Sequence, residues 1–342
     1  MTETRTGRPL RLPSLDDYLG PGETRFFSHG FRRVDYDIGA VTVSAAGADA
    51  GVRATATLRY PGDWSRKSDD IDLRPHLSTV DALVLGVQLA EAFLAHGQGL
   101  TAQARRAARL RRVVLRAGTT PQEELRDVPL SARLLETRPE AEAVGGLVSV
   151  FDTSAGVMRA RCEIEHSEGE PACEERTFAG FDALLGPADD RYFGDGFKRR
   201  SQRLTEVTVD PRTLQARAEL GLEDSADTPR QGVDGLVQPS LSAIDAFVSS
   251  LQLAQVLMYE LDGVTRAESN TLWMLHTSLE LPAVPRPVAE PTPVTCSIAR
   301  KHLLPLRGAT WRNVDITGDC GGVALRCSFA HELPASAVSP AR

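Results

Sequence analysis

The chain carries the stretch Leu19-Gly20-Pro21, followed by Arg25-Phe26-Phe27 and Gly30-Phe31-Arg32-Arg33, and then repeats it. The second copy reads Leu185-Gly186-Pro187, Arg191-Tyr192-Phe193 and Gly196-Phe197-Lys198-Arg199. Two further blocks recur in the same order: Leu77-Ser78-Thr79-Val80-Asp81 as Leu241-Ser242-Ala243-Ile244-Asp245, and Arg161-Cys162 with His166 as Arg326-Cys327 with His331. Three matched blocks indicate one fold of roughly 160 residues that has been duplicated and fused. We therefore expect function where the two copies face each other.

Composition limits the classes of function. The chain has 342 residues, enough for two domains, and its hydrophobic content of 42% and charged content of 25% are typical of a soluble globular protein. The net charge of −7 argues against nucleic-acid binding, and no stretch approaches the ~20 apolar residues of a membrane span. Five cysteines without a C-x-x-C pair favour reduced thiols in the cytoplasm over disulfides or a zinc site.

Each half shows the same order of elements. Alternating apolar residues predict a hairpin over 30–60, a buried helix from Ser78 to about His96, and about four strands between 111 and 165. The second half repeats this order around a helix over 242–261. The fold class is therefore α+β, and we predict a tandem double hotdog: two curved antiparallel sheets, each wrapping a long buried helix. Periodicity alone leaves another α+β sandwich open.

Domain boundaries follow from the repeat and from composition. The expected segments are a disordered N-terminus over 1–12, a first hotdog over 13–166, an acidic linker over 167–180, a second hotdog over 181–333 and a tail over 334–342.

The start of the first helix is the strongest candidate site. His76 and Asp81 fall at its first turns, where backbone amides lack intrahelical acceptors and carry a partial positive charge. Such a terminus can stabilise an oxyanion on a thioester carbonyl, and an imidazole beside it can act as a general acid or base. Asp81 follows Ser78 at capping-box spacing, as Asp245 follows Ser242, so helix capping explains both aspartates equally well.

His76 has no histidine counterpart, because Ser240 occupies the matching position in the second half. This asymmetry predicts that only one of two pseudo-equivalent clefts has a complete catalytic set; the alternative is a loop histidine without a role. Arg74, two residues earlier, is a candidate to hold a carbonyl or a phosphate.

Four more residues are candidate substrate contacts. Gln88 and Gln252 each lie seven residues after one of the aspartates, and they either line a ligand site or are buried amides bonded to sheet carbonyls. Trp64 either closes over a ligand or anchors the loop before the helix. His29 is either catalytic or an ordinary loop residue.

A basic run over 105–116 contains six arginines. It indicates either contact with a phosphopantetheine arm or an acidic carrier protein, or a solvated face. Dinucleotide, Walker, zinc-protease and nucleophile-elbow motifs are absent, so we expect no metal and no bound cofactor.

Several blocks of the sequence resemble the avirulence protein D family. They are Leu19-Gly20-Pro21-Gly22-Glu23, Phe26-Phe27, Gly30-Phe31-Arg32-Arg33, Tyr60-Pro61 with Trp64-Ser65, and Asp72-Leu73-Arg74-Pro75-His76-Leu77-Ser78-Thr79-Val80-Asp81. The likeness extends from about Pro13 to Leu333, and the block over 76–81 is its most specific part.

That family is tied to the making of syringolides, which are acyl-glycoside elicitors. The resemblance implies a β-ketoacyl thioester, carried on coenzyme A or on a phosphopantetheine carrier protein, whose acyl group passes to a sugar such as xylulose. The acidic carbon between the two carbonyls then closes onto the sugar ketone. This logic is similar to that of the A-factor synthase family, also hotdog proteins, which join a β-ketoacyl group to a triose phosphate.

A second likeness is to the double-hotdog dehydratases of polyketide synthases. His76 with Asp81 five residues later is similar to their His-Pro-x-x-x-Asp signature. In those enzymes the signature lies in the second hotdog, whereas here it lies in the first half, and the first half lacks their His-x-x-x-Gly-x-x-x-x-Pro strand. This departure argues against simple dehydration.

The leading interpretation is an acyl-transfer and condensation enzyme that makes a syringolide- or butenolide-like signalling molecule. His76 would take the hydroxyl proton, amides near Ser78 would hold the oxyanion, and Asp81 or Asp245 would move protons in ring closure. The alternatives are an acyl-thioester dehydratase or hydratase, and a non-catalytic acyl-ligand binding protein. Expected partners are the thioester, the sugar and optionally an acyl carrier protein, with no nucleic acid or membrane, and a monomer or homodimer.

Overall fold

The computed structural model describes residues 9–45, 47, 50–65, 74–172, 174–269, 272–288, 290–306 and 308–334. The first eight residues, almost all of the predicted tail and Cys173 lie outside the described residues.

Within these ranges the chain forms a 15-stranded sheet. The strands are β1 Leu10–Ser14, β2 Asp35–Ile38, β3 Val41–Ser44, β4 Gly51–Arg59, β5 Arg109–Arg116, β6 Val128–Pro139, β7 Leu147–Ala155, β8 Met158–His166, β9 Arg176–Phe178, β10 Arg200–Asp210, β11 Gln215–Asp224, β12 Leu272–Glu280, β13 Thr292–Leu306, β14 Ala309–Cys320 and β15 Val323–Glu332.

Two long helices cross this sheet, with three short ones in the connections. The helices are α1 Asp16–Leu19, α2 Thr79–His96, α3 Ala102–Ala107, α4 Phe181–Leu185 and α5 Ala243–Asp262. Helix α2 packs on β4–β8, and α5 packs on β10, β11 and β13–β15. Both are apolar on nearly every face, which is why both are buried almost completely.

Helix α2 is long and apolar enough to cross a membrane by length and composition, but 89% of it is buried inside the protein. Core helices of proteins that never enter a membrane pass the same test, so this is weak evidence for a span.

The strand order is symmetric about one pair of strands in the middle of the sheet. It runs β1-β10-β11-β13-β14-β15-β12, continues through β5, and ends β8-β7-β6-β4-β3-β9, with β2 also on β4. All pairings between these strands are antiparallel. The two sheets of the sequence prediction are thus one sheet, because β5 and β12 pair at residues 112–116 and 276–280 and satisfy each other's edge groups.

The leading strand of each repeat joins the other repeat. Strand β1 pairs with β10 of the second half, and β9, from the matching position of the second repeat, pairs with β3 of the first half. The expectation of a disordered N-terminus over 1–12 is therefore wrong for residues 10–12, whose backbone groups bond to β10. The predicted linker also contains a strand, β9.

The residues that follow each leading strand continue this exchange. Phe27 packs edge-on against Phe247 of α5, and the Tyr18 hydroxyl donates to Glu260 at 2.6 Å. In the other direction α4 packs on α2. Each helix is therefore covered by a segment of the opposite repeat.

Candidate functional site

A cavity of about 750 Å³ opens between the two halves. The first half contributes the start of α2, with His76 and Ser78, and the second half contributes Gln252 and Gln255 from the middle of α5. Aromatic and apolar side chains from both halves complete its wall, so the space combines an apolar body with a few polar groups, as small-molecule sites do.

The start of α2 is fixed by a capping box. The Ser78 hydroxyl accepts from the Asp81 amide at 3.2 Å, and the Asp81 carboxylate accepts from the Ser78 amide at 2.7 Å. These two bonds leave the amides of Thr79 and Val80 at the first turn without an intrahelical acceptor. Because Ser78 and Thr79 both line the cavity, the positive end of the helix faces it.

His76 is held beside this helix end by an aromatic cluster. Its ring stands edge-on to Trp64, with centroids 5.5 Å apart, and its Nδ1 lies 3.3 Å from the Arg74 carbonyl oxygen. Trp64 in turn packs edge-on against Phe26 and Tyr60. His76, Trp64 and Arg74 all line the cavity, so the structure brings these three predicted site residues together.

Asp81 lies behind the wall and is not among the residues that line the cavity. Its carboxylate accepts from the hydroxyls of Tyr36, at 2.7 Å, and of Tyr60, in addition to both donors of Ser78. Burial raises the pKa of Asp81, and the hydrogen bonds from Tyr60, Ser78 and Tyr36 act to lower it. Burial also raises the pKa of both tyrosines, and the neighbouring Asp81 charge raises it further.

The matching helix start in the second half is built from charged groups. The Asp245 carboxylate caps Ser242 and lies 3.2 Å from Nη1 of Arg200, a guanidinium that is completely buried. Gln202 donates to the other carboxylate oxygen at 2.8 Å. Asp245 does not line the cavity, so the structure does not bring the two aspartates to one site.

The cleft at this second helix start is almost closed. Its remaining volume is about 10 Å³, and Ser240, the counterpart of His76, lies on its wall. The segment over 232–237 fills the space: the Asp234 amide donates to the Ala108 carbonyl at 2.9 Å, and the Asp234 carboxylate accepts from the Leu110 amide at 3.0 Å. Burial raises the pKa of Asp234 to about 7.

The two candidate glutamines have different surroundings. Gln252 lines the cavity and donates to the Phe27 carbonyl at 3.0 Å. Gln88 belongs to the other side of the molecule, where its carbonyl accepts from Nη1 of Arg191 at 3.0 Å. His29 is also not among the residues that line the cavity. The open cavity therefore gathers four of the eight predicted site residues: His76, Arg74, Trp64 and Gln252.

Sequence reasoning missed Arg25. Its side chain lines the cavity with only 5% of its surface exposed, and one nitrogen, Nη2, bonds to Asp16. Within the described part of the chain its Nε and Nη1 have no hydrogen-bond partner. The repeat places Arg25 opposite Arg191, but an arginine present in both copies shows no asymmetry, so the sequence carried no signal that one copy is unsatisfied.

The basic run does not form an open patch. Arg109 donates to the carbonyls of Pro282 and Ala283, while Arg111 and Arg112 pair with Glu140 and Glu163. These contacts agree with a structural role along β5 and the junction between the halves.

The described residues offer neither a cluster of metal ligands nor an accessible cysteine thiol. Among the described residues, no group of three or more histidine, cysteine or acidic side chains could hold a metal ion. Cys162, Cys296, Cys320 and Cys327 are free and buried. Burial raises the pKa of Cys162 and of Cys296 to about 12, which makes their thiols poor nucleophiles.

The sequence from residue 11 to residue 334 matches the family described as Pseudomonas avirulence D protein (AvrD). This match covers nearly the whole chain and confirms the resemblance carried by the blocks over 19–33 and 76–81. No curated protein matches the chain.

Similar solved structures are remote. A MaoC-like dehydratase is 10% identical, with 97% of this chain and 98% of that chain covered and a TM-score of 0.39. A conserved protein with hot dog fold from Alicyclobacillus acidocaldarius is 8% identical, with coverage of 85% and 95% and a TM-score of 0.36. The dehydratase domain from the CurJ module of curacin polyketide synthase is 8% identical, with coverage of 87% and 97% and a TM-score of 0.30. At TM-scores below 0.5, these likenesses assign no activity.

Proposed function

Because the chain belongs to the AvrD family, we propose that it is an acyl-thioester enzyme on a tandem double-hotdog scaffold. It would transfer a β-ketoacyl group from coenzyme A or a carrier protein to a hydroxyl of a sugar or polyol, and then promote ring closure. The product would be a syringolide- or butenolide-like molecule.

One observation carries this proposal: the open cavity contains a histidine beside the amide end of a buried helix. His76 and the first turn of α2 share one wall of a space large enough for an acyl chain and a small acceptor. A histidine supplies proton transfer near neutral pH, and helix-terminal amides supply donors for an oxyanion.

The roles follow from this geometry. His76 takes the proton of the sugar hydroxyl as its oxygen attacks the thioester carbonyl, and the amide of Thr79, a residue that lines the cavity, holds the resulting oxyanion. The C–S bond then breaks, and the proton passes from His76 to the leaving thiolate. In ring closure, the carbon between the two carbonyls gives up a proton and adds to the sugar ketone, whose oxygen takes up a proton.

Asp81 and Asp245 have a different place in this scheme. Four hydrogen-bond donors surround the Asp81 carboxylate behind the wall, and Arg200 neutralises Asp245 in the other half. We therefore assign both to holding their helix starts. This assignment also disfavours dehydration, which in the signature resembled above needs the aspartate at the substrate.

The test combines a thiol-release assay with mass spectrometry. Purified protein would be incubated with a series of β-ketoacyl coenzyme A thioesters, with and without xylulose. We expect thiol release that depends on the acceptor, and a product whose mass contains both acyl group and sugar. A product that has lost only water would instead indicate a dehydratase, and binding without thiol release would indicate a ligand-binding protein.

The variant His76→Ala should release thiol at least about tenfold more slowly, because general acid–base help is worth ~10²–10⁴-fold. His302→Ala is the matched control, since His302 is exposed and does not line the cavity. An unchanged rate in His76→Ala, with normal unfolding, would remove His76 from the mechanism.

A further inference from the structure

The open and the closed cleft share a set of four polar residues, which the repeat places in matching positions. In the open cleft the four line the cavity. In the closed cleft the matching space is filled: the four counterparts are buried, they contact one another and the segment over 232–237, and none of them lines the residual volume of about 10 Å³. The pairs, open cleft first, are Arg25 with Arg191, Arg266 with Arg105, Gln252 with Gln88, and Gln255 with Glu91.

Contacts confirm that the two arginine pairs are structurally equivalent, and the other two pairs share one offset of the repeat along α2 and α5. Arg25 bonds to Asp16, as Arg191 bonds to Asp182 in the same place of its repeat. Likewise Arg266 donates to the Leu19 carbonyl and Arg105 to the Leu185 carbonyl. The two clefts can therefore be compared residue by residue.

In the closed cleft the two arginines face a carboxylate. Glu91 is 1% exposed, its Oε1 lies 3.4 Å from Nε of Arg105, and its Oε2 lies 3.4 Å from the Val233 amide. Burial raises the pKa of Glu91, while the charges of Arg191 and Arg105 lower it. The buried positive charges of this cleft thus have an internal anion.

At the matching position of the open cleft an uncharged amide replaces this carboxylate, because Gln255 stands where Glu91 stands in the other half. Two other carboxylates, those of Glu123 and Glu332, line the cavity from other elements. Arg266 donates hydrogen bonds to the carbonyl oxygens of Leu19 and Thr24, and neither carbonyl carries a net charge. Arg25 keeps Nε and Nη1 unpartnered among the described residues while 95% of its surface is buried. An arginine stays charged in proteins, and a buried charge without a full set of partners is costly.

We propose that an oxyanion of the substrate takes the place of the Glu91 carboxylate in the open cleft, held by Arg25 and Gln255 beside Arg266. Neighbouring atoms cover Nε and Nη1 of Arg25 in this structure, so these nitrogens would bond to the oxyanion after the covering side chains shift, and Gln255 would donate its amide. The chemistry of the site suits a phosphate monoester or a carboxylate. The acyl acceptor that the site favours is then a sugar phosphate or a sugar acid over neutral xylulose.

The identification of the acceptor rests on the proposed function, whereas the anion subsite itself does not. We assign the anion to the acceptor because Arg25 is buried inside a cavity of about 750 Å³, a space that suits an acyl chain and a small sugar. The phosphates of a thioester carrier lie at the far end of its pantetheine arm.

The subsite can be tested without any turnover, with inorganic phosphate as the probe and isothermal calorimetry as the measurement. Gln255→Glu supplies the missing carboxylate from the protein, as Glu91 does in the closed cleft. Phosphate should bind the wild-type protein, and Gln255→Glu should weaken it at least about tenfold through loss of a charge-assisted bond and like-charge repulsion. Gln215→Glu is the matched control, because it adds the same charge at an exposed position of β11 and should leave binding unchanged.

Arg25→Gln should weaken phosphate binding by a similar factor, and Gln255→Glu keeps the test valid if Arg25→Gln fails to fold. Absence of phosphate binding by the wild-type protein, or equal binding by Gln255→Glu, would overturn the subsite.

The second arm compares acceptors with the thiol-release assay: xylulose, xylulose 5-phosphate and xylonate. We expect kcat/KM at least about tenfold higher for an anionic acceptor, and loss of that preference in Gln255→Glu. Equal use of xylulose would overturn the acceptor assignment. If phosphate binds as expected but no thioester is consumed with any acceptor, the subsite stands and the proposed function fails.

Discussion

The two clefts of this molecule are built from the same elements and end in opposite states. Each has a capped, buried helix, a glutamine at the same helical position and an arginine from the exchanged leading segment. One keeps about 750 Å³ open, and the other keeps about 10 Å³. One cleft is therefore open to a ligand, and the matching space of the other is part of the packed interior.

The difference between the clefts is largely one of charge. The closed cleft buries Glu91, Asp234 and Asp245 with arginine partners or backbone donors. In the open one, uncharged groups take the matching roles: Gln255 replaces Glu91, and two tyrosine hydroxyls bond to Asp81 where Arg200 pairs with Asp245. The closed cleft thus serves as an internal reference for what the open one lacks.

The largest expected effect concerns Asp234, which plugs the closed cleft. Its pKa is raised by burial to about 7, above the ~3.9 of an unfolded chain, while Arg109 opposes this and Glu165 and Glu91 add to it. Between about pH 4 and 7 the unfolded chain loses this proton and the folded protein keeps it, so wild-type stability falls as pH rises, by up to about 4 kcal/mol.

Asp234→Asn removes this ionisation and retains an acceptor for the Leu110 amide. Asparagine also tolerates the left-handed backbone at this position, where φ is +63°. Urea unfolding should show that the variant gains stability relative to wild type between pH 4 and pH 8. Asp189→Asn, at a residue whose side chain is 78% exposed, should show no such trend. A pH-independent difference would mean that Asp234 is ionised throughout.

Asp245→Ala should have a smaller effect, which is a loss of unfolding free energy. It leaves the fully buried Arg200 without one of its two carboxylate partners, although the Asp224 carboxylate remains at 2.7 Å. Breaking a buried pair costs ~3–5 kcal/mol, and because Asp224 stays we expect about 3 kcal/mol. Thermal and urea unfolding would measure this against Asp35→Ala, a change at an exposed residue of β2. A loss below that of the control would show that the charged network adds nothing to the closed cleft.

Much of the fold could be predicted from the sequence because periodicity is a local property. The capping boxes at Ser78 and Ser242 and the apolar faces of α2 and α5 are all readable along the chain. The pairing of β1 and β9 with strands of the opposite half could not be predicted from the sequence. A short run of alternating residues does not specify which of two similar halves of the sheet it joins.

The site was predictable where the copies differ in sequence and hidden where they differ only in surroundings. The contrast of His76 with Ser240 predicted that the two clefts differ, and the structure places His76 on the wall of the open cleft and Ser240 on that of the closed one. Arg25 and Arg191 are the same residue type, and only their surroundings distinguish them. Gln88 and Gln252 show the same limit, since they are identical residues at matching positions, but Gln88 bonds to Arg191 in the interior and Gln252 lines the open cavity.

The smallest expected effect is that of Asp81→Asn, which sharpens the comparison between the two helix starts. An asparagine carbonyl can still accept from the Ser78 amide and Tyr60, and its amino group can donate to the Tyr36 hydroxyl. We therefore expect a loss of about 1 kcal/mol in unfolding free energy, close to the worth of one hydrogen bond. Thioester turnover should fall less than about tenfold, because proton transfer rests on His76 and Asp81 lies behind the cavity wall. A fall in turnover as large as that of His76→Ala, with stability preserved, would instead assign Asp81 to proton transfer, and the four hydrogen-bond donors around its carboxylate would then serve to set its pKa.

Asp245→Asn is the matched change in the closed cleft. It should cost more stability than Asp81→Asn, because it removes a charge that faces Arg200, and it should leave the turnover of the folded protein unchanged.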